Sequence, residues 1–147
     1  MSRTTLITSA DAVFTLTVKT LFNAPITLEN WATDHGWSGS QKLKLATTSL
    51  SIDGRLNKGF VPSAYHMALH FSAGSRSLPV FDAITTASRQ ARTVYELNGE
   101  LLLHGLGQRF TFTNGCLTEY DPVPAGDTTL GNRTVNITWE NVLPAGL

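Results

Sequence analysis

The chain has 147 residues, with eleven basic and eleven acidic side chains, so its net charge is zero. That excludes nucleic-acid binding by bulk charge, which needs a basic face to displace counterions. One domain is expected at this length, burying about 68–70% of the unfolded surface without a disulfide or metal.

The single cysteine, Cys116, rules out an internal disulfide. Only 15% of residues are charged, against about 25% in ordinary soluble domains. Threonine is plentiful instead, which suits a surface that associates with something.

The opening stretch MSRTTLITSADAVFTLTVKTLF breaks its apolar residues with Asp11 and Lys19. It lacks a basic start followed by an unbroken apolar run, so no signal peptide is expected. No run reaches about 18 apolar residues, so no membrane anchor is expected either. Within VFTLTVKTLF, Phe14, Leu16 and Val18 alternate with Thr15, Thr17 and Lys19, the pattern of a half-buried strand.

QKLKLATTSLSID also alternates, but Leu43 and Leu45 are odd while Leu50 and Ile52 are even. One regular strand cannot point both pairs to one face, so a bulge or break is expected near Ala46–Ser49. DGRLNKG then reads as a turn or exposed loop. In AYHMALHFS, Tyr65, Met67, Leu69 and Phe71 share one strand face, with His66, Ala68 and His70 on the other.

SLPVFDAITTASRQARTVY differs. Leu78, Phe81, Ile84, Ala87 or Ser88, and Ala91 recur at three- and four-residue steps, which predicts an amphipathic helix of about 14 to 18 residues. Ser77 is the expected N-cap, with Pro79 in the first turn. Asp82 is placed near the positive end of the helix, and Arg89 and Arg92 near the negative end.

GELLLHG and QRFTFTNGCLTEY then predict a hairpin, with Gly105 and Gly107 supplying positive φ between them. Asn114-Gly115 suggests a bulge, because Phe110 and Phe112 are even and Leu117 is odd. DPVPAGD is a loop. In NRTVNITWE, Val135, Ile137 and Trp139 alternate with Thr134, Asn136 and Thr138 as the last strand. The fold class is mainly β with one helix, in one domain spanning residues 1–147, with no repeat or linker.

Catalytic chemistry finds little support. His66 and His70 lie about 13 Å apart along a strand, too far to hold one metal. His104-Gly-Leu-Gly-Gln108 precedes a strand, whereas a phosphate cradle needs a helix N-terminus. Asp34-His35 lies in a loop-like stretch between Trp31 and Trp37, and no Gly-x-Ser-x-Gly elbow occurs. Cys116 reads as a small buried apolar residue. We read neither an enzyme nor a cofactor site.

In chain order, LENWATDHGW, SIDGRLNKGFVP, VFDAITTASRQARTVY, LHGLGQRFTFTNGCLTEYDPVP and TLGNRTVNITWE resemble the tail tube proteins of tailed bacteriophages. The resemblance runs from about Leu21 to Val142. Its most specific parts are Gly-Leu-Gly-x-x-Phe-Thr-x-Thr-Asn-Gly-x-Leu-Thr at Gly105–Thr118 and the closing Ile137-Thr138-Trp139-Glu140. The 20-residue N-terminus and SGSQKLKL match less well.

The resemblance implies a β-barrel or sandwich with a flanking helix, in the architecture shared with type VI secretion tubes. Six copies form a ring whose strands join into one inner barrel. Rings stack into a tube that delivers the genome in the virion tail, and contact sheath, tape measure and baseplate proteins. Assembly is expected in the host bacterial cytoplasm, and the resemblance leans to a contractile tail. DNA passes the lumen without sequence-specific binding, so a neutral or acidic lumen is expected, with Lys and Arg elsewhere.

The resemblance makes Asp53, Gly54, Arg55, Lys58, Gly59 and Phe60 a candidate subunit-interface loop. Thr134, Asn136 and Thr138 are a candidate lumen or interface face. A tube terminator, a baseplate or hub component, or a secreted type VI-like tube protein is the alternative. Asn132-Arg133-Thr134 and Asn136-Ile137-Thr138 also spell glycosylation acceptors. Without secretion they would be by-products of strand alternation.

Overall fold

A computed structural model of the chain describes residues 12–29, 31, 36–39, 42–126 and 128–146. It contains nine strands and one helix among those residues: β1 (Ala12–Val18), β2 (Phe22–Leu28), β3 (Trp37–Gly39), β4 (Ala46–Leu50), β5 (Leu56–Phe60), β6 (Tyr65–Phe71), α1 (Leu78–Ala91), β7 (Leu97–Leu103), β8 (Gln108–Tyr120) and β9 (Arg133–Gly146). Seven strands form one antiparallel sheet in the order β2-β1-β7-β8-β9-β6-β3, and β4-β5 is a separate hairpin.

Alternation places the core on one side of the large sheet. Phe14, Leu16 and Val18 of β1, Leu97 and Leu101 of β7, and Phe112 of β8 face it. Val135, Ile137 and Trp139 of β9 join Met67, Leu69 and Phe71 of β6 there. α1 covers part of this side with Leu78, Phe81 and Ile84; Phe81 lies 5.5 Å from Phe71 and 6.2 Å from Tyr120 between ring centroids.

Among the described residues the sheet does not close into the expected barrel or sandwich, and β2 and β3 are its edges. The sheet nevertheless curls. Trp31, just beyond β2, bridges to Phe71 near the opposite edge and stacks on it at 4.6 Å, while lying 6.0 Å from Phe14. Aromatic contacts across the concave side thus do part of what a closed hydrogen-bond ladder would do.

Several local expectations change in detail. β1 ends at Val18, and Thr20 takes φ 80° in a turn that leads into β2, an element the apolar pattern did not reveal. The bulge or break expected near Ala46–Ser49 is absent: Ala46–Leu50 pairs with β5 in unbroken register, and Leu43 and Leu45 lie before the strand begins. Only Gly107 takes positive φ (66°) in the β7–β8 turn; Gly105 does not. The bulge at Asn114 is present, with φ 48° and a register shift between Leu97 and Gly99 of the facing strand. It turns Gly115 toward the core and Cys116 to the other face opposite Thr138, so Cys116 is half-buried there and not a core residue.

The helix spans 14 residues with Ser77 before it, as expected, but Ser77 does not cap through its side chain. Its hydroxyl instead accepts a hydrogen bond from the Glu29 amide at 2.8 Å, tying the end of β2 to the helix entry. Asp82 lies beyond the first turn, and Arg92 is the C-cap residue rather than part of the helix.

Candidate functional site

The β4–β5 hairpin is built by local sequence. Ala46↔Phe60, Thr48↔Lys58 and Leu50↔Leu56 pair on one face, with Thr47↔Gly59 and Ser49↔Asn57 on the other. Its turn is Ser51–Arg55: the Gly54 amide donates to the Ser51 carbonyl at 2.9 Å, and Gly54 takes φ 85°. A residue with a β-carbon would be strained at that φ. Asn57 Nδ2 donates to Ser51 Oγ at 2.8 Å.

The candidate loop therefore divides. Asp53, Gly54 and Arg55 lie in the turn, whereas Lys58, Gly59 and Phe60 lie on β5. The Arg55 amide donates to Asp53 Oδ1 at 3.4 Å, while the Arg55 guanidinium approaches that carboxylate only to 3.9 Å, and both side chains are exposed.

No residue of either strand is buried. Leu50 is 71% exposed, Leu56 55%, Phe60 81%, and Ile52 at the tip fully exposed. The two Leu sets of the sequence thus have no core to face, which is why their alternation gave no consistent side. At the root, Leu45, Phe60, Val61 and Pro62 line an open groove of about 350 Å³ that reaches Glu140 and Asn141 of β9.

The second candidate set lies together on the side of the large sheet opposite the core. Thr134, Asn136 and Thr138 face His70, Ala68 and His66 of β6 across the ladder. His66 Nδ1 lies 3.0 Å from Thr138 Oγ1, and His70 Nδ1 3.4 Å from Thr134 Oγ1. Asn136 Nδ2 donates to Glu119 Oε2 at 3.5 Å. Asn136 is half-buried in the middle of the sheet, so its sequon belongs to the strand's alternation.

The same face continues through Cys116, Thr111, Thr113, Glu100, Thr15 and Thr17, with Val13, Leu102 and Leu143 toward the β7–β8 turn. Within the seven strands, Lys and Arg occur only at Arg109 and Arg133. Arg109 is 3.9 Å from Glu100 on this face, and Arg133 points to the other side.

Arg133 anchors a polar knot that sequence reading missed. Its guanidinium donates to Asp82 Oδ1 at 2.9 Å, to the Pro122 carbonyl at 3.0 Å, to the Asp121 carbonyl at 3.1 Å and to the Tyr120 hydroxyl. Tyr120 donates in turn to Asp82 at 2.6 Å. Burial first, then the Asp82 hydrogen bond, pushes the Tyr120 phenol far above its ordinary value, although Arg133 opposes the shift. Arg133 reaches partners 11 to 51 residues away in sequence, and no local motif links it to them. Asp34-His35 lies outside the described residues. Among the described residues no group of three His, Cys, Asp or Glu is placed to hold a metal.

Residues 5–143 match the family model described as tail fiber protein gp32. No curated protein sequence matches the chain. Among solved structures, a chain of the anti-feeding prophage tube-terminating cap is 12% identical, with TM-score 0.66, covering 100% of this chain and 95% of that one. A chain of the anti-feeding prophage baseplate is 14% identical with TM-score 0.60, covering 99% and 98%. A chain of the sheath-tube complex of PVC, an extracellular contractile injection system, is 15% identical with TM-score 0.62, covering 91% and 88%. At such identities the likeness is one of fold. The chain belongs to the tail fiber protein gp32 family, a tail structural protein that carries the fold of chains in contractile tube, cap and baseplate assemblies.

Proposed function

We propose that the chain is a tail tube subunit: copies form hexameric rings, and the rings stack into a tube through which the genome passes. The exposed hairpin carries this reading. Leu50, Ile52, Leu56 and Phe60 leave a large apolar surface in water, of the kind that marks an interaction site. A second copy, with its own root groove and hairpin, offers a matching apolar surface. Contacts of that head-to-tail kind close by rotation into a ring or continue as a stack.

The sheet supports the same reading. Its open edges, β2 and β3, would be covered if neighbouring copies continued the sheet around a ring. The threonine-rich face then lines the channel. Among the described strand residues its one guanidinium, Arg109, faces Glu100, so these strands offer DNA no unpaired Lys or Arg to hold phosphate. Sheath, tape measure and baseplate proteins would be further partners, in a virion tail assembled in the host cytoplasm.

A tube terminator or cap is the second reading, favoured by the fold likeness to the anti-feeding prophage cap. Electron microscopy of the purified protein separates them. Stacked rings with a central channel support the tube. Single rings that never stack favour the terminator, and a monomer that persists at high concentration overturns both.

A further inference from the structure

The turn of the β4–β5 hairpin is pinned around a residue that faces only water. The Ser51 amide donates to the Arg55 carbonyl at 2.9 Å, across the turn from the bond that Gly54 gives Ser51. Ile52 stands in this turn, fully exposed, with Asp53 and Arg55 close by in sequence. The two charges approach each other only to 3.9 Å, a pairing worth little at an exposed site. An apolar residue already fixed at a tip loses little further freedom on binding.

The root of the hairpin is concave where the tip is convex. Leu43, Leu45, Phe60 and Val61 wall the open groove of about 350 Å³, with Lys44 from the segment before β4 and Glu140 from β9. The walls are fixed: the Val61 amide donates to the Leu45 carbonyl at 3.1 Å, and Ser63 Oγ to the Lys44 carbonyl at 2.7 Å. Asn114 donates to Glu140, but neither Glu140 nor Lys44 takes part in an ion pair among the described residues. Tip and groove thus match twice, in apolar surface and in charge of both signs. They cannot meet within one chain. Four unbroken ladder steps separate the Ala46–Phe60 pair from the Leu50–Leu56 pair, which holds the tip about 14 Å or more from its own root.

We propose that the hairpin tip of one copy seats in the root groove of a second, with Ile52 among Leu43, Leu45 and Phe60, Asp53 against Lys44, and Arg55 against Glu140. This rests on the reading of the hairpin as an assembly contact, and it names the surface that receives the tip. Each copy offers one tip and one groove, so the contact can pass from copy to copy.

Charge exchange tests it, with assembly read by sedimentation velocity. Lys44→Glu alone and Asp53→Lys alone each bring like charges together and should raise the concentration needed for half-assembly by about tenfold or more. Combined in one chain they restore opposite charges, and should return it to within about threefold of the unaltered protein. Arg55→Glu and Glu140→Lys repeat the exchange at the second contact, while Arg89→Glu on α1 should shift assembly by less than about twofold. Losses that merely add in both combined variants, or single reversals that leave assembly unchanged, overturn the proposal. Micrographs of the same samples keep the two readings apart. Tubes that form whatever the charges leave the tube reading standing without this contact. Assemblies that the exchange rescues, but that are neither rings nor tubes, keep the contact and remove the tube. An unaltered protein that never assembles removes both.

Discussion

Gly115 shows how a single hydrogen atom can decide packing. A β-carbon at this position would lie 2.2 Å from Trp139 Cε3, and Trp139 is fully buried. Gly115→Ala should therefore cost about 1–3 kcal/mol of stability by overpacking. Urea denaturation measures it, and a change below about 0.5 kcal/mol would mean that the indole moves freely. At Arg133, four acceptors converge on one guanidinium, so Arg133→Met should cost about 2–3 kcal/mol. Tyr120 adds a pH dependence. Its folded pKa is raised above the ordinary 10.0, so its contribution is complete below pH 10 and is lost as pH rises beyond that. Denaturation midpoints across that range should fall less steeply for Tyr120→Phe; parallel slopes would remove Tyr120 as the cause.

Among the elements, the β4–β5 hairpin and α1 contrast in what holds them. α1 is fixed by an apolar stripe that meets a core, so its periodicity in sequence translated directly into a position. The hairpin has the alternation of a strand but no core partner, so its apolar residues serve no folding purpose in the single chain. Replacing Leu50, Leu56 and Phe60 together by serine should change unfolding free energy by no more than about 0.5 kcal/mol while abolishing assembly in sedimentation velocity. Retained assembly would move the contact elsewhere. Ser77 teaches the converse: the sequence marks it as a cap, yet the structure uses its hydroxyl to hold Glu29 of a neighbouring segment.

At the scale of the molecule, charge is sorted by sheet face. Among the described strand residues the core face holds one guanidinium, Arg133, satisfied in its knot, and the threonine-rich face holds one, Arg109, near Glu100. If that face lines a channel, Thr111→Lys with Thr138→Lys should leave the fold intact but make assembled tubes retain double-stranded DNA, with retention falling steeply as salt rises. Salt-dependent filter retention of labelled DNA measures this. Tubes of the double variant that hold no more DNA than unaltered tubes would place the face away from the lumen.

The sequence by itself determined the mainly β class, the helix, the bulge at Asn114 and the face shared by Thr134, Asn136 and Thr138. Each follows from spacing within one segment: a period of two or 3.6, or a change of parity. Only the tertiary structure decided that the sheet stays open, that Cys116 leaves the core, that half of the candidate loop is strand β5, and that Arg133, Asp82 and Tyr120 meet. β2 and β3 were invisible in the sequence because edge strands carry weak apolar alternation. The Arg133 knot was invisible because charge pairing between distant residues depends on how elements are brought together, which no local period encodes.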